Sequence, residues 1–302
     1  MSEKLIIRID ASSLSESACW RKFQLINPLG YVSNIKPPWL DFGAALHSAI
    51  AEWSRARALG TGLDVTALIR KMQQWYAEQM CEKKEPRDVE NLGIVLTQYF
   101  EVYARENFQY HVSKDVVSVE LPFAIPYRSY EDVDVLLCGA MDALGTVSGR
   151  KCFRDTKHSS TTAIDAHLES QLMRPQFHIY AWVLKHLGYT DYYPPVLVDA
   201  IYINKKYRGG KFTRSQLTDL QPQVIERVMT WVSSQVDHMV QLVRKYGLTT
   251  ESWPYNFNNC EGDFGMPCPF FNLCQAPEQF QQTLLNSMFT RREYNPKDFN
   301  RV

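Results

Sequence analysis

The chain has 302 residues, 45% of them apolar and 13% aromatic, enough to bury a sizeable core, which excludes disordered and collagen-like classes. Lys plus Arg and Asp plus Glu each number 33, so the formal charge is zero and any contact with a polyanion must be local. No run of roughly 18 apolar residues occurs, and the apolar stretch at 5–7 is broken by Arg8 and Asp10, so a soluble, cytoplasmic protein without membrane contact is expected.

Ser12 or Ser13 can cap a short helix through Cys19 to about residue 25, stopped by Pro28-Leu29-Gly30. Phe42, Ala45, Leu46, Ala49, Ile50 and Trp53 recur at helical spacing and predict a second helix ending at Gly60. Amphipathic helices over 65–81 and 89–107 follow. From Val116 the residues become β-branched and alternating, predicting an antiparallel meander of strands over 116–125, 135–147 and 152–157. A helix over 166–187, a strand over 196–203, a basic turn and a long helix over 216–246 complete a mixed α/β plan, and 291–302 read as a polar tail. The expected organisation is one domain over 1–302, with a helical part at 12–110, a core at 115–205 and a C-terminal helix and cysteine segment at 215–290.

A turn centred on Ser148-Gly149 makes antiparallel partners sum to 297, which sets Asp142 opposite Asp155. Facing carboxylates repel unless something compensates them, and a divalent cation would do so. Lys157 shares the face of Asp155, and its partner Ala140 leaves it room to reach the same spot.

These residues resemble a known family. Gly139-Ala140-Met141-Asp142 followed by Asp155-Thr156-Lys157 looks like the core of the PD-(D/E)xK nucleases. Gly43-Ala44-Ala45-Leu46-His47 and Gln176-Phe177-His178-Ile179-Tyr180 are similar to the histidine and Q-x-x-x-Y motifs of its RecB-like branch, in the family's order. The resemblance implies a restriction-endonuclease-like core, a mixed sheet flanked by helices, with a helical N-terminal part and a C-terminal cysteine arm. It also implies that Asp142, Asp155 and the Thr156 carbonyl hold Mg²⁺ or Mn²⁺, with His47 completing the site. Lys157 would orient or deprotonate the attacking water and stabilise phosphate charge. Gln176 and Tyr180, one helical turn apart, would touch phosphate, brace the lysine or simply pack. Glu120 reads as an exposed strand carboxylate rather than a support for the site.

Seven cysteines are too few for a disulfide scaffold and suggest free thiols or metal ligands. Cys19 far upstream, with Cys260, Cys268 and Cys274 clustered near the C-terminus, resembles the iron-sulfur arm of AddB-type and CRISPR-associated exonucleases and their phage relatives. That resemblance implies a [4Fe-4S] cluster stapling the chain ends, in preference to zinc or unligated thiols. Lys205, Lys206, Arg208, Lys211 and Arg214 surround Tyr207 and Phe212 without an acid, which suits phosphate contacts and base stacking as well as it suits a solvated hairpin.

The function expected by resemblance is metal-dependent DNA hydrolysis, as an exonuclease on single-stranded DNA or duplex ends, with protein partners in recombination, phage replication or CRISPR adaptation. The alternative is an inactive DNA-binding or assembly module of the same fold.

Overall fold

The computed structural model describes residues 4–34, 37–79, 86–160, 164–203, 206–248, 253–260 and 267–292. In chain order its main elements are β1 (Leu5–Ile9), α1 (Ala11–Glu16), α2 (Trp20–Ile26), α3 (Pro38–Leu59), α4 (Val65–Glu78), α5 (Val89–Val102), β2 (Val119–Ser129), β3 (Val133–Val147), β4 (Arg150–Ser159), α6 (Ile164–Leu172), α7 (Pro175–His186), β5 (Val196–Ile203), β6 (Gly210–Arg214), α8 (Pro222–Tyr246), α9 (Phe271–Gln275) and α10 (Glu278–Met288). They form two compact units, one from Met1–Ile35, Phe123–Gly139 and Arg227–Asp298, the other from Lys36–Pro122, Ala140–Glu226 and Phe299–Val302.

The second unit is organised by its strands in the order β3-β4-β5-β6. β3 and β4 pair antiparallel from Ala143↔Arg154 to Val147↔Arg150, and every pair sums to 297 as the turn predicts. Ser148 and Gly149 both have left-handed φ, at 50° and 78°, the geometry of a tight type I′ hairpin that twists with its strands. β5 runs parallel to β4 and is buried along its whole length, as a central strand covered on both faces must be. β6 returns antiparallel to β5. Ile201 and Ile203 of β5 join Phe42, Leu46, Met72, Tyr76, Leu96 and Tyr99 in one apolar core, which anchors α3, α4 and α5. Asp64 and Asp88 cap α4 and α5 by accepting the Ala67 and Asn91 amides at 2.9 and 2.7 Å. Gly60, at φ 65°, ends α3.

In the first unit β1 pairs parallel with the first half of β3, from Leu5↔Val133 to Ile9↔Leu137. A short strand Tyr31–Ser33 pairs with Phe289–Arg291. Leu25, Leu29, Phe270, Leu273, Leu285 and Phe289 form the core beneath that pair.

Several expectations needed revision. β1 was not foreseen. The first helix is capped by Asp10, with Ser13 closing the capping box, and it breaks so that Cys19 becomes the N-cap of α2. The helix expected over 166–187 is two helices, because Pro175 starts a new one at its first turn. The basic turn contains β6, and α8 starts at Pro222 rather than at 216 because Thr218 first bridges to Val196. Cys81 and the tail beyond Arg292 lie outside the described residues. Among the described residues no helix is long and apolar enough to cross a membrane.

Candidate active site

α3 presents Gly43 and His47 one turn apart on one face. Gly43 is required there because a Cβ would lie 2.1 Å from Nε2 of His158 on β4. His47 Nδ1 stands 3.4 Å from Asp142 Oδ2 on β3 and 3.9 Å from Glu120 Oε1 on β2. Asp142 Oδ2 also accepts the Thr156 N–H at 2.7 Å, just beyond the last regular pair of the β3-β4 ladder. Donor atoms of His47, Glu120 and Asp142 lie within 4.8 Å of one another, the one such group of three among the described residues.

Beside this cluster runs a chain of hydrogen bonds. Lys157 Nζ is 2.8 and 3.1 Å from the two oxygens of Asp155 and donates to Gln176 Oε1 at 3.1 Å. Gln176 Nε2 donates to the Tyr180 hydroxyl at 3.0 Å, and that hydroxyl donates to the Ala140 carbonyl at 2.8 Å. The i, i+4 pair on α7 thus braces the lysine from one side and ties the helix to β3.

The electrostatics reflect crowding of acids in a partly dry place. Burial raises the Asp142 carboxyl and the Glu120 charge adds to the effect, while His47, Lys157 and the Thr156 N–H oppose it. Burial pushes Asp155 up to about 6, with Asp142 contributing and Lys157 pulling back. Burial works against a charged His47, yet Asp142 and Glu120 outweigh it and raise the imidazole to about 9. The cluster carries more negative charge than its surroundings can solvate, and two carboxylates with one imidazole fit a hard divalent cation such as Mg²⁺ or Mn²⁺.

Glu120 is the member that the sequence reading undervalued. Its side chain is 13% exposed, and its φ of +50° is the left-handed conformation that a residue other than glycine rarely adopts. The available signal was an acid set between Val119 and Leu121 in an apolar strand. Asp155, expected beside Asp142 as a ligand, is outside the group of three because Lys157 and Gln176 engage its carboxylate. Thr156 meets Asp142 through its N–H.

The iron-sulfur expectation is corrected. Among the described residues Cys19, Cys260, Cys268 and Cys274 do not form a gathering of ligand atoms, and all four are free thiols. Burial raises the Cys268 thiol and pushes Cys274 up to about 11, and the neighbouring cysteines add to both shifts. The chain ends are held together instead by apolar packing, in which Cys268 and Cys274 border the core of Leu25, Leu29, Phe270 and Phe289.

Of the basic turn, Lys205 lies outside the described residues, while Lys206, Arg208 and Lys211 are exposed. Arg208 pairs with Asp88, at 3.3 Å, and with Glu90. Arg214 turns inward to Glu106 and Asp199.

No curated protein matches the chain. Among solved structures, a candidate exonuclease from Eubacterium rectale aligns over 90% of this chain and 89% of its own, at 9% identity and a TM-score of 0.49. SSO0001 aligns over 91% and 89%, at 11% identity and a TM-score of 0.34. Residues 13–275 match the PD-(D/E)XK nuclease superfamily, a span that takes in α3, the β3-β4 hairpin and α7. With the mixed α/β core as expected of a restriction-endonuclease-like fold, the chain belongs to that superfamily.

Proposed function

We propose that the protein is a metal-dependent deoxyribonuclease of the RecB-like branch, acting in the cytoplasm as an exonuclease on single-stranded DNA or duplex ends. The observation that carries this reading is the convergence of His47, Glu120 and Asp142 within 4.8 Å, beside a lysine held by Asp155 and Gln176. Glu120, Asp142 and His47 would hold Mg²⁺ or Mn²⁺, with Asp155 and the Thr156 carbonyl as further candidate oxygen ligands. The bound cation polarises a phosphoryl oxygen and acidifies water. Lys157, kept in place by Gln176, presents its ammonium to the charge that builds on the phosphate. Lys206 and Lys211, exposed on the basic hairpin, meet backbone phosphates.

The test is cleavage of 5′- and 3′-labelled linear and circular DNA, single- and double-stranded, with Mn²⁺ or Mg²⁺ and with EDTA. Metal-dependent shortening of linear but not circular substrates, abolished by Asp142→Asn, is expected. A Mn²⁺-loaded protein that cuts none of these substrates refutes the reading.

A further inference from the structure

Arg154 immediately precedes Asp155 on β4 and turns to the opposite face, where it is 2% exposed. Its guanidinium donates to both oxygens of Glu106 at 3.2 and 3.0 Å and to Ser54 Oγ at 3.1 Å, and its Nε lies 3.8 Å from Asp199 Oδ2. From β6, Arg214 closes the ring, donating to Asp199 at 2.5 and 2.7 Å and to Glu106 at 2.7 Å. The Tyr99 hydroxyl donates to Asp199 at 3.2 Å, and the Tyr110 hydroxyl lies 2.9 Å from Glu106 and 2.8 Å from Ser54. Two guanidinium groups thus face two carboxylates in the interior.

Stability alone does not call for such a block, because apolar residues of the same volume commonly serve as well. What apolar packing lacks is direction. Asp199 is the register partner of Thr156 on one side and of Arg214 on the other. Thr156 is the residue whose N–H holds Asp142. Arg154 itself lines the same small cavity as His47, Glu120, Asp142 and Thr156. The block therefore grips β4 on both sides of Asp155, at 154 directly and at 156 through the register of Asp199. Beyond burial, the groups that act most on Asp142 are His47, Glu120, Lys157 and the Thr156 N–H. The charge of Arg154 is taken up by Glu106 and Asp199, so its effect on the site is geometric.

We propose that Arg154 is a positioning residue of the metal site: with Glu106, Asp199 and Arg214 it fixes Thr156 so that Asp142 meets the cation together with Glu120 and His47. This rests on the metal-site reading above. The experiment measures Mn²⁺ binding to the DNA-free protein by calorimetry, with urea unfolding in parallel, for the wild type, Arg154→Lys and the double variant Arg154→Met/Glu106→Gln. The double variant removes one charge of each sign and leaves the Arg214–Asp199 pair intact. It should fold cooperatively but bind Mn²⁺ roughly tenfold more weakly, as loss of a group that orients a ligand commonly does, and Arg154→Lys should fall between it and wild type. Cleavage by the double variant should recover when Mn²⁺ is raised. Binding within about twofold of wild type overturns the proposal, whatever the change in stability. If the double variant does not fold, Ser54→Ala removes one acceptor from Arg154 without stranding a charge, and an unchanged Mn²⁺ affinity there overturns it equally. Absence of Mn²⁺ binding in the wild type is a separate result, which removes the metal site itself.

Discussion

Replacing Glu120 should stabilise the metal-free protein and destabilise the metal-loaded one. Its φ of +50° costs a residue with a side chain about 1–3 kcal/mol, and its carboxylate adds to the charge crowding Asp142. Glycine at this position relieves both, at a cost of roughly 0.5–1 kcal/mol for the extra freedom of the unfolded chain. The interaction with His47, whose imidazole Glu120 helps to raise, is given up, against the relief of the charge crowding Asp142. The balance is a gain of roughly 0.5–2 kcal/mol for Glu120→Gly without metal. With metal at about 100 times the wild-type Kd, the wild type gains about 2.7 kcal/mol from binding, and a variant lacking one of three ligands forfeits most of that. The sign of the mutational effect should therefore invert on adding Mn²⁺. Thermal unfolding of wild type, Glu120→Gly and Glu120→Asn in EDTA and in saturating Mn²⁺ reads both halves, the asparagine variant testing whether tolerance of left-handed backbone is the cause. A glycine variant less stable than wild type in EDTA, or one stabilised by Mn²⁺ as much as wild type, would refute the reasoning.

The remaining predictions use other parts of the same unit. Asp142→Asn should lose Mn²⁺ binding and cleavage together, whereas Lys157→Ala should keep much of the Mn²⁺ affinity and lose cleavage by about 10²-fold, separable by calorimetry and single-turnover assays. Burial alone would raise the Glu106 carboxyl, but Arg154 and Arg214 outweigh it and hold it below its ordinary 4.5. The unfolded chain then takes up this proton before the folded one does, so the stabilisation is complete above pH 4.5 and is lost as the pH falls below it. Urea unfolding should accordingly show Glu106→Gln about 3 kcal/mol less stable than wild type near neutrality, with the gap narrowing in acid. Gly43→Ala should destabilise by roughly 1–3 kcal/mol through its clash with His158, and the double variant Gly43→Ala/His158→Ala should recover most of that loss in the same assay; no recovery places the strain elsewhere.

Local patterns carried much of the fold into the sequence. The Ser148-Gly149 turn set a register that the structure keeps over five pairs, and β5 begins and ends where its apolar run does. Both succeed because turn chemistry and burial act on neighbouring residues. β1 was not legible, because a five-residue strand whose partner is Val133–Leu137 carries no local sign of that pairing. The break before α7 was legible in Pro175, whose missing N–H suits a first turn, but the apolar periodicity running through it masked the signal. In the candidate site, the turn register pointed to Asp142 and Lys157, and the resemblance to the RecB-like motifs pointed to His47, Gln176 and Tyr180. Neither pointed to Glu120, since its role depends on a backbone conformation that composition does not record. The cysteine segment misled for a related reason: sulfur atoms close to an apolar core look the same in sequence as sulfur atoms that hold a metal.

β3 and α8 each begin in one compact unit and end in the other, and the unit that contains β1 is assembled from three stretches separated by nearly the whole length of the chain. During synthesis, the strand Tyr31–Ser33 waits for Phe289–Arg291, and the apolar faces of Leu25 and Leu29 wait for Phe270 and Leu285, which leave the ribosome long after them. In the other unit, helices α3 to α7 and strands β4 to β6 all precede Pro222 and can pack before that. Completion of the nascent protein is thus vectorial, the unit that carries the carboxylate cluster maturing first and the terminal clasp closing last.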